Sequence, residues 1–340
     1  RKFKKLRDLN IDPKTSQQQG KELLKKSIQK HDDEVHTFER MVERYIVEKL
    51  EKARQPKGTR EIQRIMEKDL GNLAVVVVGD GLKTTIHNHI FEISKRSKDV
   101  ARVFRRELKC AWQYAFNTGY TNIPCPINSD IGGKLKQGQR RRVLTDDELS
   151  ELLPWMYNYS ETVRDVLTLT LYTGLRSGEV CRLRDDWLVE SVEAWSIVIP
   201  SHEMKIPHAD HVVPLVGRAL EIARKRRGSG YWFKSRTGGH IQQKVLGVEV
   251  YSHSGRSKAK TYKAQTICPV VDWSPNDLRK TARTHLAKLK CPYEIGEKIL
   301  HHKLLGVAGL YNQYNYEEER REWLTTLGDH FDRLGGQTHE

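Results

Sequence analysis

Apolar residues recur at intervals of three and four along most of this chain, and that spacing commits it largely to helices. Phe38, Met41, Val42, Tyr45, Ile46 and Leu50 fall on one face of a first helix. The string Gln55-Pro56-Lys57-Gly58 breaks it, because proline lacks the amide donor and glycine adds backbone freedom. The pattern predicts a second helix from Thr59 to about Leu70, a third from Thr84 to Lys95 and a fourth from Lys98 to Asn117. In the fourth, Val103, Phe104, Leu108, Ala111, Trp112 and Ala115 make a buried stripe, which is core rather than a platform for stacking bases. Residues 37–130 therefore read as one compact all-helical domain.

The sequence before and after that domain differs in kind. Residues 1–36 are polar and rich in Lys and Gln, a lead-in with some helix coming from an upstream portion. Residues 131–143, with Gly132-Gly133 and Arg140-Arg141-Arg142, read as an interdomain linker; its basic run either tracks a DNA backbone or is simply solvated. Residues 144–340 form a second domain. It opens on Thr145 and Glu148, three apart, which is the signature of a capping box. It carries two β-branched alternating runs, Ala194 to Ile199 and His211 to Leu215, so a mainly α fold with a small antiparallel β-sheet is expected. Ser252 to Lys263 is basic and rich in small residues, an exposed loop.

Composition limits the partners. Lys and Arg number 59 against 44 Asp and Glu, a net charge of +15. A polyanion is the natural partner, since each neutralised phosphate releases a counterion; an anionic membrane surface and charge for solubility alone are the competing readings. No run of about 20 apolar residues spans a bilayer, so no membrane role is expected. Five cysteines with no CxxC pair indicate neither a disulfide framework nor a zinc ribbon, and a reducing, cytoplasmic setting fits them.

Three segments carry chemistry. In Thr173-Gly174-Leu175-Arg176-Ser177-Gly178-Glu179, Gly174 stops an apolar helix and the next begins near Ser177. Arg176 thus sits in a tight turn, its fork of donors suited to phosphate, with Glu179 placed to hold it; an ordinary helical corner with a surface arginine is the alternative. In Ser274 to Arg283, Ser274 caps, Pro275 takes the first helical position and Asp277 completes the box. Asn276 and Arg279 share one face there, with Leu278, Ala282, Leu286 and Leu289 on the other. Third, Leu300-His301-His302 precedes Tyr311, nine residues beyond His302; alone that spacing means little.

Together the three segments resemble the tyrosine recombinase, or phage integrase, family over roughly residues 37–335. The segment TGLRSGE is similar to its first arginine box, and the run YNQYNYEEERREW looks most like integrases of P4-like prophages and genomic islands. The resemblance implies the fold of DNA breaking-rejoining enzymes, with 37–130 as a core-binding domain that clamps DNA. It implies that Arg176 and Arg279 bind the scissile phosphate, Tyr311 attacks it, Lys205 between the two strands supplies a proton and His302 assists. It also implies site-specific strand exchange through a 3′-phosphotyrosine, with no cofactor and no metal. Expected partners are double-stranded attachment sites, a homotetramer and DNA-bending accessory proteins, in a bacterial cytoplasm and on its nucleoid. Lys280 and Arg283, with Arg140, Arg141 and Arg142, are expected DNA contacts.

Two positions depart from the family. Asn276 stands where the family's second arginine box, H-x-x-R ending here at Arg279, normally has histidine; an amide donates to phosphate but is neither cation nor general base. A weakened or inactive DNA-binding protein of the same fold is therefore the alternative function. His301 replaces the usual glycine, so its backbone is expected to be helix-compatible. Tyr314 and Tyr316 compete with Tyr311 as nucleophile, and Lys258, Lys260 and Lys263 compete with Lys205. His202, His208 and His211 raise zinc only weakly, lacking paired thiolates or carboxylates on a hairpin expected to face DNA. The stripe Trp323, Leu324, Leu327, Phe331 and Leu334 docks either on its own domain or on a neighbouring subunit.

Overall fold

The computed structural model describes residues 36–53, 56–135, 141–204, 209–257, 266–303 and 314–336. Arg140, Lys205, His208, Lys258, Lys260, Lys263 and Tyr311 lie outside them, as does residues 1–35 of the lead-in. The chain divides after Gln139 into two compact units.

In the first unit, helix α1 (Phe38–Tyr45) starts on Thr37, whose hydroxyl accepts from the Arg40 amide, and runs into a wider turn over Ile46–Leu50. Helix α2 spans Pro56–Asp69. It begins three residues before the position expected from sequence, because Pro56 sits at the helix start, where its missing N–H would have no partner in any case. Helices α3 (Lys83–Arg96) and α4 (Lys98–Asn117) follow, the latter capped by Ser97, whose hydroxyl accepts from Val100. Phe38, Ile86, Ile90, Phe104, Leu108, Ala111 and Trp112 are fully buried at the centre. The Trp112 indole donates to the Ile123 carbonyl at 2.9 Å, so burying that ring leaves no polar atom stranded. Ile131 and Leu135 belong to this core too, so the packing of the first unit reaches into the segment expected to be linker.

Gly132 holds the chain against that core. Its φ is +79°, and a Cβ there would lie 2.1 Å from Cγ2 of Ile90. Gly132→Ala is expected to destabilise the first unit by about 2–4 kcal/mol, combining left-handed backbone strain with overpacking. Urea unfolding checks this; a change within about 0.5 kcal/mol, the range of a surface substitution, contradicts it.

The second unit is built round helices α6 (Glu161–Thr173) and α10 (Pro275–Lys288), which pack on each other. Helix α5 (Asp146–Trp155) opens with the full Thr145–Glu148 capping box. Short helix α7 (Ser177–Val180) follows α6. Strands β1 (Leu188–Glu190), β2 (Trp195–Ile199) and β3 (His211–Leu215) form an antiparallel sheet in that order, with Leu188 opposite Ile197 and Ile197 opposite Val213. Three-residue β1 is too short to show an alternation in the sequence. Helices α8 (Gly217–Arg226), α9 (Gln243–Ser252) and α11 (Tyr293–Ile299) complete the surroundings of the core. The last described helix, α12 (Glu317–Leu334), buries Leu324, Leu327 and Phe331 in the same core as α6 and α10. The apolar stripe of the tail is therefore docked on its own domain. No helix among the described residues is long and apolar enough to cross a membrane.

Candidate active site

Helix α6 ends because Gly174 turns left-handed, at φ +68°. Two residues later Arg176 is extended, and Glu179 grips it twice: the carboxylate accepts from the Arg176 amide at 3.0 Å and from its Nη1 at 2.8 Å. Glu179 is buried while the arginine head is partly exposed, so the carboxylate orients the guanidinium from beneath. Helix α10 supplies Arg279 one turn from its capping box. Its Nη1 donates to the Gly174 carbonyl at 2.5 Å and its Nη2 to the Leu300 carbonyl at 2.6 Å. Burial and the neighbouring Arg176 charge pull its pKa down to about 10, which leaves it a cation at neutral pH. Two cations held this close, one of them desolvated, are poised for an anion.

His302 completes the connection between the three segments. Its Nε2 stands 2.9 Å from Nη2 of Arg279, and arginine can only donate, so Nε2 accepts and the ring proton sits on Nδ1. Nδ1 then donates to Glu297 at 2.7 Å. Glu297 also accepts from Nε of Arg283 at 2.8 Å. Burial alone raises the Glu297 pKa, but the Arg283 and His302 bonds outweigh it and hold the carboxyl below its usual range. Asn276 is fixed by a triangle: its Oδ1 accepts from Ser177 at 3.0 Å and from Gln243 at 3.1 Å, while Gln243 also donates to Ser177 at 2.9 Å. With the oxygen engaged, the exposed amide nitrogen is the donor it presents. Arg176, Asn276, Arg279 and His302 line one open cavity, together with Lys280 and Arg283.

Residues 142–318 match the sequence profile of the phage integrase family, just over half of the chain. The chain belongs to that family. The fold agrees with solved integrases. The Tn1549 transposon integrase in complex with circular intermediate DNA superposes with a TM-score of 0.58 at 14% identity, covering 84% of this chain and 98% of that one. The lambda integrase dimer bound to a COC′ core site gives 0.60 at 14% identity, covering 78% and 94%. The lambda integrase tetramer bound to a Holliday junction gives 0.62 at 14% identity, covering 84% and 79%. No curated protein matches this sequence.

Other residues singled out in the sequence of this integrase have partners of their own. Arg142 is committed inside its own unit: it forks onto Glu148, and it donates to the carbonyls of Val271 and Asp272 at 3.2 Å each. It staples the start of α5, whereas Arg141 beside it is exposed. Lys280 pairs with Asp277 at 2.9 Å yet stays half exposed. Arg283 supports Glu297 and lies over the Tyr293 ring, 5.5 Å from its centroid. His301 is left-handed, at φ +52°, not helical. The position keeps the conformation a glycine favours, and the ring stacks on His211 with centroids 4.5 Å apart. His211 is buried rather than facing solvent, and burial, with the nearby charges of His301, Arg320 and Arg279, pushes its pKa well down. Tyr314 is exposed, and neither it nor Tyr316 lines the arginine cavity. Ser177, Gln243 and Glu297 were not foreseen. Ser177 lies inside the TGLRSGE segment, but Gln243 and Glu297 stand in helices with nothing local to mark them.

Proposed function

We propose that this integrase is a site-specific tyrosine recombinase of a mobile element, cleaving and rejoining DNA through a 3′-phosphotyrosine at Tyr311. One observation carries the reading: two arginines from distant segments, 103 positions apart in sequence, line one cavity with His302 and an amide donor. A phosphodiester in that cavity receives the fork of Arg176 and the charge of Arg279 on its non-bridging oxygens, and a hydrogen bond from Asn276. The Tyr311 oxygen attacks phosphorus, and the bond to the 5′-oxygen breaks. Lys205 gives that oxygen its proton, acting as general acid, and His302, oriented by Glu297, assists proton movement. Tyrosine has a reference pKa of about 10, and the paired cations favour its phenolate. The ester retains the bond energy, so a 5′-hydroxyl from a partner strand rejoins it without ATP.

In this proposal residues 37–130 are the core-binding domain, residues 131–143 the linker and residues 144–340 the catalytic domain. The partners are attachment-site duplexes, a homotetramer at synapsis and DNA-bending proteins, in a bacterial cytoplasm. The DNA and the tetramer are supported by the solved integrases of like fold, which include a tetramer on a Holliday junction. Prophage or genomic-island origin rests on the run from Tyr311 to Trp323 alone.

A nicked suicide substrate carrying the element's junction DNA tests the activity. A covalent protein–DNA band on a denaturing gel is expected, and peptide mapping should place the nucleotide on Tyr311 rather than Tyr314 or Tyr316. DNA binding without any adduct, persisting in Asn276→His, identifies instead a non-catalytic DNA-binding protein, the reading that Asn276 favours.

A further inference from the structure

Away from the arginine cavity, a second cluster of ionisable groups joins three elements of the second unit. Asp146 opens α5, His285 lies on α10 and His330 on α12. His285 Nδ1 is 3.2 Å from His330 Nε2 and 3.4 Å from Asp146 Oδ1, and His330 Nε2 is 3.7 Å from the same oxygen. Tetrahedral zinc, with bonds of about 2.0–2.1 Å, keeps its ligand atoms roughly 3.3–3.4 Å apart. The three separations bracket that value. Among the described residues this is where histidine and carboxylate atoms converge so closely.

The orientation of His285 matters as much as the distances. The ring is wholly buried, and its Nε2 lies 3.0 Å from the Leu144 carbonyl. A carbonyl only accepts, so Nε2 carries the proton and Nδ1 turns its lone pair to His330 and Asp146. A backbone carbonyl fixing the far nitrogen is the usual support behind a ligating imidazole. We propose that Asp146, His285 and His330 bind one divalent transition-metal ion, of the zinc class, that clips α12 to α5 and α10. Two imidazoles and one carboxylate are ligands of that class rather than of magnesium or calcium. The Lys288 ammonium, 3.2 Å from Asp146 Oδ1, competes with such an ion for that carboxylate. That lysine is half exposed and free to turn into water when an ion enters. The fourth position belongs to water.

The test uses the whole chain, stripped of metal by chelator dialysis. Calorimetric titration with Zn²⁺ is expected to give one ion per chain and to raise the unfolding temperature, because the ion joins elements that separate on unfolding. Co²⁺ should show the visible bands of a tetrahedral site. His330→Gln and Asp146→Asn alter partly exposed groups, so both variants should fold, with circular dichroism as the check. Each should weaken Zn²⁺ by at least the roughly 10–100-fold that losing an outer partner of a ligand costs. Lys288→Met removes the competing cation and should tighten binding. No Zn²⁺ uptake by the parent chain overturns the site, as does undiminished affinity in His330→Gln and Asp146→Asn or weaker binding in Lys288→Met. None of these measurements depends on DNA cleavage, so the recombinase reading stands or falls separately.

Discussion

Replacing Arg279 with alanine is expected to slow formation of the covalent DNA adduct by roughly 10²–10³-fold, about 2.7–4 kcal/mol of transition-state stabilisation. The guanidinium does two things at once. Two of its N–H groups tie the Gly174 and Leu300 carbonyls together, and Nη2 also holds His302 in its tautomer. The residue also lines the cavity shared with Arg176. Removing it therefore takes one cation from the phosphate and frees the histidine. Arg279→Lys should recover less than tenfold of the loss, because one ammonium cannot span two carbonyls, an imidazole and a phosphate as a planar fork does. DNA affinity should change little, since one phosphate contact among many contributes a small part of the total. Single-turnover adduct formation beside fluorescence anisotropy measures both. Cleavage within tenfold of the parent chain in Arg279→Ala would place the scissile phosphate somewhere else.

Asp332→Ala is expected to lower the stability of the second unit by about 3–5 kcal/mol. The carboxylate is buried on α12, where it accepts from the Tyr172 hydroxyl at 2.7 Å and from Arg218. Burial and that hydrogen bond hold the Tyr172 phenol far above its usual pKa, so it stays a donor at any ordinary pH. Alanine leaves a half-buried guanidinium without that counter-charge and a buried hydroxyl without its acceptor. Asp332→Asn keeps an acceptor for Tyr172 and should lose less. Urea unfolding of the whole chain, followed by hydrogen exchange along α12, reads the effect. A loss below about 1 kcal/mol means the pair contributes no more than an exposed ion pair does. Because α12 begins six residues beyond Tyr311, loosening it should also slow adduct formation.

Sequence alone determined what depends on near neighbours. The bounds of α4 follow from Ser97 as cap and Asn117-Thr118-Gly119 as stop. The left-handed turn before Arg176 follows from Gly174, and both capping boxes follow from residue types three apart. Those features arise from hydrogen bonds and steric limits within one turn of chain, which local composition encodes directly. Tertiary structure alone decided which of the charged groups meet. Arg279 reaches a carbonyl 105 positions away, Glu297 stands behind His302, and Arg142 is taken up by Glu148 and by carbonyls about 130 positions away. The backbone of His301 departs from the helical form its sequence suggests for the same reason, since its left-handed turn goes with a stack on a histidine from β3. A periodic pattern reports which face of a helix is buried, but not which distant side chain or carbonyl lies opposite it. That choice is made only when the helices pack.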